Sequence, residues 1–145
     1  MILYLDSSAI VKLYVEEAGS GESRSQAVAS DVLVSTVLAE VEVLAAFARA
    51  RRMGSLAVQA AIDVATQFLR EWPEYRHVEV TASVVASAGR LAATHGLRAY
   101  DAVHLASSIE LRTVVGEPVV FATFDRMLWR AARESGLEAW PPDFA

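Results

Sequence analysis

Cysteine is absent from this 145-residue chain, which excludes disulfide bonds and thiolate metal sites. Lysine occurs once, as Lys12, and the formal net charge of -5 argues against non-specific binding to duplex nucleic acid. The sequence also lacks an uncharged apolar run of about 18 residues and a basic leader ahead of a signal-peptide core. We therefore expect a cytoplasmic protein that does not associate with a membrane.

Apolar residues are plentiful, since hydrophobic types make up 54% of the chain. That content is ample for a buried core and argues against a disordered chain. The length lies within the usual range of one compact domain. We therefore expect residues 1–145 to form a single domain.

Short apolar segments alternate with longer segments of helical periodicity along the chain. Strands are predicted at residues 2–5, 32–35, 77–80, 119–122 and 138–140, and helices at residues 8–16, 22–29, 36–52, 55–71, 82–95, 100–113 and 125–135. This alternation predicts an α/β fold in which helices flank a central, mainly parallel sheet. In such sheets ligands bind at the carboxyl ends of the strands.

Two aspartates follow predicted strands. Asp6 comes directly after the first strand, and Asp125 lies three residues beyond the strand at 119–122. Both are therefore expected at the binding edge of the sheet. Each also begins a predicted helix, so helix capping is the alternative role for either residue.

The long predicted helix at 36–52 carries two glutamates near its start, Glu40 and Glu42. Its apolar face is predicted to consist of Val37, Val41, Leu44 and Ala48. At about 100° per residue, Glu40 lies about 70° from the centre of that face, whereas Glu42 lies about 130° away. We expect Glu40 at the border of the buried surface, with a salt bridge to Arg51 or Arg98 as its alternative role. Glu42 is interpreted as a solvated surface charge.

A third aspartate, Asp101, lies in the first turn of a mainly apolar predicted helix, where an interaction with the helix dipole is its alternative role. Oxygen ligands without cysteine favour Mg²⁺ or Mn²⁺ over Zn²⁺. His104 follows one turn later and is interpreted as a packed, hydrogen-bonded histidine rather than a ligand or base. Ser7 and Thr123 lie beside acidic positions, where they either orient a metal-bound water or serve as turn or cap hydroxyls.

Four short segments around these residues follow one another along the chain. They are residues 2–9 (ILYLDSSA), 35–40 (STVLAE), 99–102 (AYDA) and 122–125 (ATFD). In order and spacing they resemble the PIN domain, and in particular the VapC toxins of bacterial and archaeal toxin–antitoxin pairs. The resemblance covers essentially the whole chain.

This resemblance implies a PIN-like domain with an acidic Mg²⁺ or Mn²⁺ site. The acidic positions of the family fall on Asp6, Glu40, Asp101 and Asp125, with Ser7 and Thr123 as polar support. The resemblance also implies endoribonuclease activity on RNA, inhibition by a cognate antitoxin protein, and a homodimer. Residues 55–68 are a candidate for the apolar helix surface that a dimer would bury.

The hypothesised reaction is metal-dependent hydrolysis of RNA phosphodiester bonds, with Asp6 and Asp101 as the first candidates for direct ligands. The alternatives are a catalytically silent, PIN-like protein-binding module and a PIN nuclease that processes RNA outside a toxin–antitoxin system. A haloacid-dehalogenase-like phosphatase is disfavoured because Ser8 stands where that class normally has a second aspartate. A response-regulator receiver is disfavoured because no lysine follows Lys12.

Overall fold

Five parallel strands form one sheet in the computed structural model, which describes residues 1–144 and leaves the last residue of the predicted domain, Ala145, outside that range. The strands are β1 (Ile2–Leu5), β2 (Val32–Thr36), β3 (Arg76–Val78), β4 (Val119–Ala122) and β5 (Glu138–Trp140). Their order is β3-β2-β1-β4-β5, and every neighbouring pair is parallel. The carboxyl ends of all five strands therefore lie at the same edge of the sheet.

Seven α-helices cover the sheet within the described residues. They are α1 (Ser7–Tyr14), α2 (Ser20–Ala29), α3 (Ala39–Arg52), α4 (Val58–Glu71), α5 (Ala82–His95), α6 (Ala99–Val115) and α7 (Arg126–Glu134), with a 3-10 turn at Trp72–Glu74. No helix between residues 1 and 144 combines the length and the apolar character that a membrane crossing requires.

The central strand β1 supplies side chains to both faces of the sheet, because side chains alternate along a strand. Leu3 and Leu5 pack with Phe47 and Phe68 in the core shared with α1, α3 and α4. Tyr4 belongs to the opposite core, which is shared with α6 and α7. A smaller apolar cluster joins α5 to α6, so α5 forms an outer layer on that side.

The predicted α/β fold with a central parallel sheet is confirmed. The bounds of β4, β5 and α5 agree with the predicted segments. The Thr81 hydroxyl accepts a hydrogen bond from the Val84 amide at 3.2 Å and so caps α5, and Gly96 ends this helix with a φ of 67°. Glycine adopts this left-handed backbone without the steric cost that a side chain would add.

Two predicted helices begin three residues later in the structure than the sequence pattern indicates. The segment at 36–52 becomes helical only at Ala39, because the backbone continues the sheet and the Val37 amide bonds to the Val78 carbonyl at 3.1 Å. The segment at 55–71 becomes helical at Val58, because the Ser55 amide instead bonds to the Ala50 carbonyl at the end of α3. Apolar periodicity continued through both non-helical stretches and did not mark these boundaries.

We expect Phe68→Ala to lower the free energy of unfolding by about 3–5 kcal/mol, since the ring is fully buried and the cavity would persist. The ring lies 5.5 Å from that of Tyr14 and 5.3 Å from that of Trp72. The neighbouring Leu69 is 44% exposed, and Leu69→Ala serves as the control with a much smaller loss. Urea denaturation measures both variants, and equal losses would contradict this description of the core.

Candidate active site

A cleft of about 370 Å³ lies at the carboxyl edge of the sheet. It is lined by Asp6, Ser7, Ser8, Glu42, Arg98, Ala99, Tyr100, Asp101 and Asp125. The acidic residues come from the starts of four helices: two are the N-caps of α1 and α7, and two lie in the first turns of α3 and α6. The positive ends of these helix dipoles favour negative charge in the cleft.

Asp6 is the most deeply buried of these acids, with 3% of its surface exposed. Its Oδ1 accepts hydrogen bonds from the Ala9 amide at 2.9 Å and the Ser8 hydroxyl at 2.6 Å. Its Oδ2 accepts one from the Thr123 hydroxyl at 2.5 Å. Asp6 therefore caps α1, as the alternative role stated, and also presents its carboxylate to the cleft.

Hydroxyl groups connect the end of β1 with the loop after β4. The Thr123 hydroxyl, which donates to Asp6, accepts a hydrogen bond from the Asp125 amide at 3.0 Å. The Ser8 hydroxyl, which also donates to Asp6, accepts one from the Phe124 amide at 2.9 Å. Asp6 and Asp125 are thus held beside each other by two short connections.

Burial raises the pKa of Asp6, while His104 and the hydrogen bonds from Ser8, Thr123 and the Ala9 amide act in the opposite direction. A buried carboxylate with donors on both oxygens is stabilised in position, although removing its charge from water is costly. Positive charge in the cleft would offset that cost.

Asp101 and Asp125 share one cation, the guanidinium of Arg98. Its Nε lies 3.3 Å from Asp101 Oδ2 and its Nη2 lies 3.4 Å from Asp125 Oδ2. The other oxygen of Asp125 accepts a hydrogen bond from the Leu128 amide at 2.9 Å and so caps α7. Asp125, like Asp6, therefore both caps a helix and lines the cleft. Burial and then the nearby Asp125 raise the pKa of Asp101, and Arg98 acts in the opposite direction.

Glu42 is held in the cleft by a buried histidine. His104 is 1% exposed, and its Nε2 lies 2.7 Å from Glu42 Oε1. Because a carboxylate oxygen only accepts, Nε2 carries the proton and donates to Glu42. The Ser7 hydroxyl donates to the second oxygen, Oε2, at 3.3 Å.

Tyr4 fixes the other side of the His104 ring. Its hydroxyl lies 3.0 Å from His104 Nδ1, and its ring stacks on Phe121 with centroids 5.4 Å apart. Burial raises the pKa of Tyr4 above its ordinary value, so the hydroxyl keeps its proton and donates to Nδ1. The packed and fully hydrogen-bonded histidine expected from the sequence is therefore confirmed.

The interpretation of Glu42 as a solvated surface charge is wrong. Its side chain is 15% exposed and bonded as described above. Among residues 1–144, the cleft lining includes Glu42 and does not include Glu40. The error came from the assumed apolar face of α3: Val41, placed on that face, is 59% exposed, whereas Ala39, Val43 and Phe47 are buried.

The corrected face explains why periodicity could not identify the right glutamate. At about 100° per residue, Glu40 and Glu42 lie on opposite flanks of the face formed by Ala39, Val43 and Phe47. Helical periodicity gives the angle between a residue and the buried face of its helix. It does not say which flank of that face meets the sheet edge. A related signal in the sequence is His104, since an imidazole within a mainly apolar helix requires a hydrogen-bond partner, but the sequence does not say which residue supplies it.

Of the other predicted site residues, the structure brings Asp6, Ser7, Asp101 and Asp125 together around the cleft. Thr123 is fully buried and reaches the cleft through its hydrogen bond to Asp6. Arg98 and Ser8 also line the cleft and did not belong to the predicted set. Which roles these residues have in a reaction remains a prediction.

The donor set suits a hard divalent cation, since the acidic ligands offer only oxygen. The side chains of residues 1–144 are not already gathered into a metal-ligand group of three or more. Asp101 and Asp125 bind the Arg98 guanidinium instead, and that side chain is 83% exposed. The pair therefore fits a positive group, and a metal ion would replace Arg98 there.

The fold and the cleft together define an α/β protein with a carboxylate site at the edge of a parallel sheet. The PIN domain family model matches residues 3–134. The chain belongs to the PIN domain family.

Two relatives, the ribonucleases VapC45 and VapC49 of Mycobacterium tuberculosis, are each 39% identical over 141 residues, which is 97% of this chain and 95% of each relative. The structure of FitAcB from Neisseria gonorrhoeae matches with a TM-score of 0.67 at 19% identity, over 98% of both chains. VapC20 of M. tuberculosis, a sarcin-ricin loop cleaving toxin, matches with a TM-score of 0.64 at 19% identity, over 89% of this chain and 94% of that one. These two structures support the fold.

We expect Asp101→Asn to raise the Tm of the metal-free protein at pH 7. The raised pKa of Asp101 means that its ionised form opposes folding, so this residue's contribution to stability falls as the pH rises through its folded-state pKa. The gain in Tm should therefore shrink as the pH is lowered towards the ordinary pKa of 3.8.

Thermal unfolding in EDTA from pH 7 downward measures this gain. Asp143→Asn, at an exposed position, is the control and should leave Tm unchanged. A fall in Tm for Asp101→Asn at pH 7 would contradict the electrostatic account.

A double-mutant cycle tests whether His104 holds Glu42. His104→Leu should lower the free energy of unfolding by about 1–3 kcal/mol, because Tyr4 and Glu42 each lose a buried partner. In a Glu42→Ala background the same change should cost less, with a coupling of about 0.5–3 kcal/mol. Urea denaturation in EDTA gives the four values, and losses that add within about 0.5 kcal/mol would mean the pair does not interact.

Proposed function

We propose that this PIN-domain protein is a Mg²⁺- or Mn²⁺-dependent endoribonuclease that hydrolyses RNA phosphodiester bonds and acts as the toxin of a toxin–antitoxin pair. The observation that carries the proposal is the convergence of Asp6, Glu42, Asp101 and Asp125 on one cleft. It is supported by two relatives that bear the name ribonuclease and align over nearly the whole chain.

The divalent ion would be held by Asp101 and Asp125, with Asp6 and Glu42 completing the acidic surround. Such an ion, when bound, supplies charge neutralisation on the phosphate and lowers the pKa of water. Glu42 replaces Glu40 in this proposal, because only Glu42 reaches the cleft. We keep Ser7 and Thr123 as supporting residues, since each donates to one of the acids.

The remaining residues act by holding these acids in place. Thr123 and Ser8 fix Asp6, and His104 fixes Glu42 through Oε1, so that the acids are oriented before substrate binds. With a divalent ion held by Asp101 and Asp125, the exposed Arg98 guanidinium would be available to a phosphate of the RNA, a group to which guanidinium geometry is well suited.

The partners in this proposal follow from the family resemblance. They are a cognate antitoxin, which inhibits the enzyme in the cytoplasm, and a second copy of the chain. Val58 and Ile62 lie within the predicted 55–68 surface and are 60% and 52% exposed, which leaves apolar area for a protein partner. A processing nuclease without an antitoxin and a silent binding module are the competing functions.

Two glutamates two residues apart give a matched test of the active site. Glu42→Gln should reduce Mn²⁺-dependent cleavage of a mixed RNA pool at least about 100-fold, because even outer partners of a metal site are worth about 10- to 100-fold. Glu40→Gln changes the same charge on the same helix and should retain activity. Initial rates of the purified, partner-free protein measure both variants.

Asp6→Asn and an EDTA sample serve as negative controls, and circular dichroism verifies that each variant is folded. Equal activity of Glu42→Gln and the unmodified protein would remove Glu42 from the site. Absence of cleavage by folded protein with bound Mn²⁺ would favour the silent binding module instead.

A further inference from the structure

The outer surface of α7 carries three arginines in a row, Arg126, Arg130 and Arg133, all exposed. At about 100° per residue they fall within an arc of about 60°. The buried side chains of the same helix, Leu128, Ala131 and Ala132, lie on its opposite side. The three guanidinium groups therefore form one stripe, which we call the arginine stripe.

This stripe begins at the cleft. Asp125, the N-cap of α7, lines the cleft, and Arg126 is the next residue. From Arg126 to Arg133 the helix rises about 10 Å. That length matches roughly three nucleotides of a stacked strand at about 3.4 Å each.

Aromatic rings border the stripe and position two of its members. The Arg133 guanidinium lies 4.8 Å from the centroid of the Trp129 ring, and that of Arg126 lies 5.5 Å from the centroid of the Phe144 ring. The two rings are 6.1 Å apart. Arginine stacked on an aromatic ring keeps its N–H groups available at the edge for phosphate oxygens.

Two of the three stripe arginines keep a positive charge that no acidic side chain of the described residues pairs with. Across residues 1–144, neither Arg130 nor Arg133 forms an ion pair with a carboxylate. Glu134, the acidic residue of α7, pairs with His95 instead, and its Oε2 lies 3.2 Å from His95 Nδ1. In a chain of net charge -5, such a face is a local exception to the acidic surface. A concentrated positive face of this kind attracts polyanions.

We propose that the arginine stripe binds the phosphates of the RNA strand next to the cleavage site and leads that strand away from the cleft. This inference rests on the proposed ribonuclease function. RNA fits better than an acidic protein segment because the stripe starts at the carboxylate cleft, where a scissile phosphate would bind. It also explains how an acidic protein holds a polyanionic substrate.

The test compares two variants of equal charge. Arg130→Gln with Arg133→Gln removes two members of the stripe, and Arg51→Gln with Arg52→Gln removes two exposed arginines at the far end of α3. Binding of a fluorescent single-stranded 20-mer RNA is measured in an Asp6→Asn background at several salt concentrations. This binding measurement needs no catalysis, so its result is valid even if the protein proves not to be a ribonuclease.

The stripe variant should bind the RNA about 10-fold more weakly at low salt. The slope of log K against log salt should fall by about 1.4, because each phosphate contact on a single strand contributes about 0.7. In the otherwise unmodified protein, the KM for cleavage should rise and kcat should be unchanged. The α3 variant should match the parent protein in RNA affinity, salt slope, KM and kcat.

Equal losses in both variants would overturn the proposal, because they would indicate a general effect of net charge. Unchanged RNA affinity and slope in the stripe variant would overturn it as well. If that variant instead lost binding to polyglutamate, the stripe would be assigned to an acidic protein segment. If the unmodified protein cleaved no RNA but the binding results held, only the proposed activity would fall.

Discussion

The carboxylate of Asp6, buried at the end of the central strand, is the interaction on which the site depends. It caps α1 through the Ala9 amide and accepts hydroxyl hydrogen bonds from Ser8 and Thr123. These hydroxyls in turn accept hydrogen bonds from backbone amides of the loop that follows β4. Burying this charge is costly, and its position at the meeting point of two strand ends fixes where the other acids gather.

The cleft places several carboxylates close together, which opposes folding unless positive charge offsets it. The structure supplies that charge from helix N-termini, from the His104 N–H and from the exposed Arg98. Within residues 1–144, Arg98 is held by two ion pairs at the protein surface, which are weak, so it is the contribution that another cation could replace. A site built in this way suits a divalent cation, and in the proposed mechanism the requirement for metal and the tolerance of a phosphate would have the same electrostatic origin.

Strand ends were predictable from the sequence, and with them Asp6 and Asp125, because a short apolar run followed by an acid marks the edge of a parallel sheet. Asp101 was predictable from its place in a helix start. Glu42 was not, because helical periodicity cannot say which flank of α3 faces the sheet edge. That choice is made by a tertiary contact with His104, which lies 62 residues away in sequence. The presence of Arg98 in the cleft was not predictable either. It depends on how α6 and α7 pack, because the guanidinium pairs with Asp101 of α6 and with Asp125, the N-cap of α7.

The central claim is that these carboxylates form a metal site. Isothermal titration calorimetry of Mn²⁺ binding to the metal-free protein tests it most directly. The account predicts saturable binding that is lost in Asp101→Asn and strongly weakened in Glu42→Ala, while Glu40→Ala binds as the unmodified protein does. Saturable binding that survives Asp101→Asn unchanged, or no binding by folded protein, would contradict the claim that these carboxylates form a metal site.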